Sequence, residues 1–171
     1  MKVGGRYLDF AALQRYCWHV ASVVGILSAS IFGTMRPETV RYAEKLGLAF
    51  QLTNIIRDVG EDARIGRIYL PQNEMQQFNV TAADILHAKH TDRFAQLMRF
   101  QAQRAQALYD EAFALLPAGE RRAQRPGLIM AAIYRALLDE IEHDGFHVLN
   151  QRISLTPIRK LWLAWKTYVR G

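Results

Sequence analysis

Asp58 and Asp62 stand four residues apart in the run Gln51-Leu52-Thr53-Asn54-Ile55-Ile56-Arg57-Asp58-Val59-Gly60-Glu61-Asp62, which is otherwise largely apolar. Two carboxylates at that spacing can each offer an oxygen to a hard divalent cation. Mg²⁺ typically takes one or two carboxylates and completes its shell with water and phosphate oxygens. At about 100° per residue, Gln51, Asn54, Asp58 and Asp62 share an arc of roughly 80°, and Leu48, Leu52, Ile55, Ile56 and Val59 occupy the arc beside it. A polar stripe therefore runs along a greasy helix. Arg57, Arg64 and Arg67 follow closely, and the planar guanidinium fork suits phosphate oxygens. The stripe suggests a metal-bridged phosphate ester. The competing reading is a solvated helix end with ordinary i,i+4 charge contacts. Against it, like charges at that spacing repel, so a cation is expected between them.

The elements that must position this stripe are helical, because 3.6-residue periodicity dominates and strand-like alternation is nearly absent. A first helix is predicted over Phe10–Phe32, with Ala21, Gly25 and Ser28 as a small-residue face for close helix contact and Tyr16, Val20, Val23 and Leu27 as another. Gly33 ends it. The stripe helix is predicted over Pro37–Glu61, with Pro37 in its first turn. Gly60, Gly66 and Pro71 then break the pattern into a loop with a basic rim. Thr81-Ala82-Ala83-Asp84 reads as a capping box opening a short helix that ends near Lys89. Longer helices follow over Asp92–Leu116, Pro126–Asp144 and Thr156–Tyr168. The 171 residues fit one all-α domain, since half of them are apolar and no linker or repeat divides them.

Charge and cysteine content narrow the function classes. A net charge of +6 favours anionic partners: diphosphates, anionic lipid heads or nucleic acid. No nucleic-acid reading motif or concentrated basic helix accompanies that charge, so nucleic acid is not expected as a partner. No glycine-rich dinucleotide fingerprint is present either. The single cysteine, Cys17, rules out an internal disulfide and a cysteine-rich zinc site, and its apolar helix predicts a buried, inert thiol in a reducing cytosol. No signal peptide is visible, and the apolar stretch around Val20–Phe32 is too short to span a bilayer. The expected location is cytoplasmic.

The run from Asn54 to Asp62, with Gly66-Arg67-Ile68-Tyr69-Leu70-Pro71 after it, resembles the second aspartate-rich motif of the squalene/phytoene synthase family. Upstream, Tyr16-Cys17-Trp18-His19-Val20-Ala21-Ser22-Val23-Val24-Gly25 is similar to that family's Tyr-Cys-x-x-Val-Ala-x-x-Val-Gly signature. Arg125-Pro126-Gly127-Leu128-Ile129-Met130-Ala131-Ala132-Ile133-Tyr134-Arg135 and Ile153-Ser154-Leu155-Thr156-Pro157 look more like the bacterial presqualene diphosphate synthases of hopanoid pathways than like phytoene synthases.

The resemblance implies an isoprenoid-synthase-type helical bundle around a central cavity, with Mg²⁺ bridging two aspartate-rich motifs to a prenyl diphosphate. It implies metal ligands at Asp58 and Asp62. Substrate-lining roles fall to Gln51, Asn54, Arg57, Arg67 and Tyr134, and a role near the reacting cation falls to Tyr16. A neutral phenol is a poor base at neutral pH, so Tyr16 is cast as a hydrogen-bond donor and cation-facing aromatic. The reaction so implied joins two farnesyl diphosphates: diphosphate leaves one, the second chain's double bond attacks the allylic cation, and proton loss closes the cyclopropane of presqualene diphosphate. Phytoene synthesis from two geranylgeranyl diphosphates is the alternative within the family. Only 15 residues precede Tyr16, and Asp9 alone does not make the family's first aspartate-rich motif. The chain is therefore expected to correspond to roughly the C-terminal three-fifths of such an enzyme, lacking its N-terminal helices and exposing apolar flanks of the first helix. On that footing a third reading is a non-catalytic helical remnant that binds diphosphate or a membrane surface.

Other signals read more plainly. His87 and His90 are expected to be solvated surface residues, and His143 and His147 to make helix-terminal contacts. The segment Arg159–Arg170 mixes basic and interfacial aromatic residues, which fits either packing on the bundle or peripheral contact with the inner membrane face.

Overall fold

The computed structural model describes residues 6–32 and 36–170, and every regular element among them is helical. Helices α1 (Phe10–Cys17) and α2 (Val23–Phe32) flank a π-helical turn, Trp18–Ser22. The first predicted helix is thus present over its full length, with one wider turn inside it. Asp9 caps α1 by accepting from the Ala12 amide at 2.8 Å.

Helix α3 (Pro37–Arg64) is the centre of the fold, and it runs three residues further than its sequence predicts. Gly60 does not break it. A Cβ at Gly60 would collide with the carbonyl oxygens of Leu149 and Val148, the latter at 2.5 Å. That glycine is a place where another stretch of backbone lies against the helix. A similar close approach joins α3 to the first helix: a Cβ on Gly47 would meet the Ala21 carbonyl oxygen at 2.9 Å, and one on Gly25 would meet that of Ala43 at 2.9 Å. The small-residue face predicted at Ala21 and Gly25 is therefore a helix contact.

After α3 come α4 (Gln72–Gln77), α5 (Ala82–Leu86), α6 (Asp92–Leu115), a 3₁₀ turn at Ala118–Glu120, α7 (Arg125–His143) and α8 (Pro157–Arg170). The predicted capping box forms, with the Asp84 amide donating to Thr81 Oγ1 at 3.1 Å and the Thr81 amide to Asp84 Oδ2 at 3.0 Å. The helix it opens ends at Leu86, three residues short of the expected Lys89. Helix α4 is not evident in the sequence. Its first amides are satisfied from far away, Gln72 N donating to the Tyr7 carbonyl at 2.9 Å and Asn73 N to that of Leu8 at 3.1 Å.

The core lies mainly between α3 and α6, with α7 closing one side. Leu52, Ile55, Ile56 and Val59 of α3 meet a layer from Leu97, Met98 and Tyr109 of α6, with Leu138 and Ile141 of α7 beside them, all buried. Each such aliphatic side chain contributes about 1.5–3 kcal/mol relative to leaving it in water. A polar cluster fastens α4 to α6: Arg104 makes a two-pronged contact with Glu74, at 2.6 and 3.1 Å, and Gln101 donates to the same carboxylate at 2.5 Å. The Arg104 guanidinium also lies 3.8 Å from the centre of the Phe10 ring, which ties the start of α1 to the cluster. The expected apolar flank is exposed, Val24, Leu27 and Ile31 all facing outward. His90 departs from the solvated reading, since it stacks on His147 with ring centres 4.2 Å apart.

Gly60→Ala is expected to destabilise the fold by about 2 kcal/mol or more, because backbone atoms rather than a flexible side chain must move. A urea titration read at 222 nm checks this, and a midpoint unchanged from the parent chain would mean that the 148–149 segment does not rest on α3.

Candidate active site

The predicted polar stripe is intact on α3, and its members face different surroundings. Gln51 and Asn54, with Gln124, line a cavity of about 320 Å³ whose remaining wall is mainly apolar and small, including Val20, Gly25, Leu46, Phe50 and Met130. Tyr134 does not line that cavity, but its ring packs at a tilt against Phe50, centres 4.8 Å apart, so it backs the cavity wall. The Asn54 side-chain oxygen is buried without a hydrogen-bond partner. Such an orphaned acceptor costs free energy unless a ligand, ion or water meets it.

One helical turn beyond Asn54 stands Asp58, which is clasped by cations. Arg57 donates to both of its oxygens, Nε to Oδ1 at 2.7 Å and Nη2 to Oδ2 at 2.6 Å, and Arg152 Nε reaches Oδ1 at 3.1 Å. Burial alone would raise the Asp58 pKa, but the Arg57 hydrogen bonds and the charges of Arg57 and Arg152 outweigh it, so the carboxyl is held below its usual range. Arg152 also pairs with Glu61 at 3.4 Å. No sequence signal pointed to Arg152. It comes from the segment after α7 and reaches Asp58 because that segment lies along α3 at Gly60.

Asp62 is in the opposite condition. Burial, then repulsion from Asp58, raises its pKa, and Arg67 offsets this only in part. It lines a narrow cleft with Arg67 and Tyr69. Tyr69 in turn stacks on Tyr16 at 5.4 Å and on Tyr7 at 6.0 Å, and Tyr7 and Tyr16 are 5.5 Å apart. The candidate Tyr16 thus sits one ring away from the Asp62 cleft, within a three-tyrosine cluster. Burial and the neighbouring Tyr69 raise its pKa, so it is a neutral phenol at physiological pH. Cys17 beside it is fully buried and burial pushes its thiol up to about 12, which makes it inert.

Among the described residues, no group of three or more His, Cys, Asp or Glu side chains converges to hold a metal unaided. Two carboxylates with an unpartnered amide oxygen a turn away nevertheless suit Mg²⁺, which takes few protein ligands when phosphate oxygens supply the rest. The repulsion that raises the Asp62 pKa is what a bound cation relieves. The residues present fit that ion.

Comparison with known proteins bears on the same region. The squalene/phytoene synthase family profile matches residues 1–159. A phytoene synthase from Arthrospira platensis is 41% identical over 91% of the chain and 55% of its own length. Phytoene synthase 2 of Solanum lycopersicum, a chloroplastic protein, is 39% identical over 97% of the chain and 56% of its own length. A dehydrosqualene synthase solved with a ligand superposes with a TM-score of 0.82 at 31% identity, covering 96% of the chain and 58% of that protein. A squalene synthase from Alicyclobacillus acidocaldarius superposes with a TM-score of 0.73 at 30% identity, covering 82% and 54%. The all-α architecture is the helical fold of these synthases. The chain spans a little over half the length of each of these four proteins.

The two aspartates are expected to respond oppositely to neutralisation. The Asp58 pKa is depressed by folding, so its contribution is present above the unfolded value and lost as pH falls through the folded one. Asp58→Asn should therefore destabilise the metal-free chain by about 1–2 kcal/mol at pH 7 and by less in acid. Because the Asp62 pKa is raised, its ionisation costs stability above the folded pKa, and the cost disappears below the unfolded value. Asp62→Asn should stabilise by about 0.5 kcal/mol at pH 7 and lose that gain in acid. Urea midpoints at neutral and acidic pH test both, and the same sign for the two variants would contradict the assignment.

Proposed function

The chain belongs to the squalene/phytoene synthase family, and on that premise we propose that it carries the second-aspartate half of a prenyltransferase site joining two prenyl diphosphates head to head. The substrate is farnesyl diphosphate, and the product is presqualene diphosphate with release of diphosphate. One observation carries the reading: along a single helix, an apolar cavity passes into two amides and then into two carboxylates flanked by arginines. Hydrocarbon belongs in the first, phosphate oxygens beside the second and divalent cations at the third.

Asp58 and Asp62 are the proposed holders of Mg²⁺, with the Asn54 side-chain oxygen available to the ion or to its water. When bound, Mg²⁺ supplies Lewis-acid withdrawal of charge from the diphosphate, making it a better leaving group. Gln51 orients phosphate oxygens from the cavity wall. Arg57 and Arg67 place guanidinium groups beside the carboxylates, where diphosphate competes for them. Tyr16, held as a neutral phenol, donates a hydrogen bond rather than acting as a base, and its tyrosine cluster offers aromatic faces to positive charge. Phe50, backed by Tyr134, excludes water from the chain-binding wall.

A second reading, phytoene formation from two geranylgeranyl diphosphates, is supported by the names of the relatives at 41% and 39% identity. The tail segments Arg125–Arg135 and Ile153–Pro157 support the farnesyl reading.

Calorimetric titration of the chain with farnesyl and geranylgeranyl diphosphates, with and without Mg²⁺, tests the site, and product analysis without nicotinamide cofactor tests the reaction. Affinity should depend on Mg²⁺ and fall on the order of 10- to 100-fold in Asp62→Asn. Presqualene diphosphate would support the first reading and phytoene the second. Binding that ignores both Mg²⁺ and Asp62→Asn, with no product, would leave only a non-catalytic module.

A further inference from the structure

Helix α8 is amphipathic in the reverse sense to a helix of a soluble bundle. Toward α7 it presents Leu163, Ala164, Lys166 and Thr167, which are half-buried. Away from the protein it presents Ile158, Leu161, Trp162, Trp165, Tyr168 and Val169, all exposed, Ile158 by 80% and Trp165 by 64%. At 100° per residue these six fall within about 120° of arc, a continuous apolar face turned to solvent. Scattered exposed hydrophobic residues are ordinary, whereas a contiguous face that includes two tryptophans marks a binding surface.

The charges beside that face identify what it meets. The helix carries Arg159, Lys160, Lys166 and Arg170 and no acidic residue. Arg159, which pairs with Glu140 of α7, and Lys166 follow one margin of the apolar arc by helical position, and Lys160 lies beyond the other. The Lys166 ammonium sits 4.6 Å from the Trp162 ring and the Arg125 guanidinium 4.5 Å from the Tyr168 ring, so cations border the aromatic residues. Behind the helix, a groove between α6, α7 and α8 is lined by Arg121, Arg135 and Lys166 as well as Phe113 and Leu163. Apolar and aromatic residues in the middle with cations at the edge are the pattern of a helix lying in the interface of an anionic bilayer. A second copy of the chain fits less well, because a two-fold contact through this face brings the same basic margins together. The exposed flank of α2 gives no comparable argument, since no acidic or basic side chain other than His19 lies between Tyr16 and Phe32.

We propose that the outward face of α8 docks the protein peripherally on an anionic lipid surface, with Trp162 and Trp165 entering the headgroup region and the basic margins meeting lipid phosphates. Among the described residues no helix is long and apolar enough to cross a membrane, so this contact lies on the bilayer and does not span it. The inference stands independently of which prenyl diphosphate the site takes.

Flotation with vesicles of phosphatidylcholine, alone or mixed with phosphatidylglycerol, tests it. The chain should float with the mixed vesicles, and much less with phosphatidylcholine alone or in high salt. Lys160→Glu should reduce partitioning on the order of tenfold. The double variant Trp162→Ser, Trp165→Ser should abolish flotation while keeping its helical circular dichroism, because both side chains are exposed. Brominated lipid should quench the emission of a Trp18→Phe chain, in which only the two α8 tryptophans remain. Absence of flotation with mixed vesicles, or flotation unchanged in the double variant, overturns the proposal. So does a dimer in sedimentation that the double variant dissolves, since the face would then belong to a second copy. Mg²⁺-dependent diphosphate binding by the double variant separates failure here from failure of the proposed site.

Discussion

A carboxylate drawn partly out of water on a core helix must be matched by positive charge, and Asp58 is matched twice. Arg57 is its chain neighbour, but Arg152 arrives only because the backbone at Val148 and Leu149 rests on α3. That contact depends on Gly60 having no side chain. The missing methyl on one helix therefore governs where a distant loop runs, and the loop governs which cation faces the acidic pair. Asp62, one turn on, has no comparable clasp among the described residues and is left as the member of the pair whose pKa is raised. The two carboxylates are thus unequal before any ligand arrives, one compensated within the protein and one open to compensation from outside.

Helix α3 serves two solvents at once. Its apolar arc is buried against α6 and α7, which holds the helix rigidly through many small contacts. Gln51 and Asn54 of its polar arc face a cavity whose other wall includes the first helix, brought close by Gly25 and Gly47. The π-helical turn at Trp18–Ser22 lies at that approach, since Ala21 and Ser22 are the groups nearest to Gly47. Wide turns of this kind shift the register of side chains on either side and occur often near functional sites. Here the turn follows Tyr16, which joins the tyrosine cluster, and itself carries Val20, which lines the cavity together with Val24 of α2.

Much of the fold was legible in the sequence because helical signals are local. Periodicity located the long helices, Pro37 and the Thr81–Asp84 box marked starts, and the boundaries of α6 and α7 agree with their predicted ranges within one residue. The failures have a common cause. Gly60 reads as a breaker until the chain that packs on it is known. Helix α4 is hidden because its amides are satisfied by Tyr7 and Leu8, more than sixty residues earlier. The His90–His147 stack and the Glu74–Gln101–Arg104 cluster likewise join residues that no local pattern connects.

The candidate site divides in the same way. The sequence by itself determined the order of chemistry along α3, with Gln51, Asn54, Asp58 and Asp62 on one face, because side chains on a single helix inherit their directions from a fixed angular step. It also determined the family, through motifs contiguous enough to read directly. Only the tertiary structure decided that Asp58 is held by Arg152, that Tyr16 approaches Asp62 through Tyr69, and that α8 turns its apolar side away from the bundle. Those outcomes depend on distances between segments far apart in the chain, and such distances are set by packing, where one glycine or one aromatic ring decides which surfaces can touch.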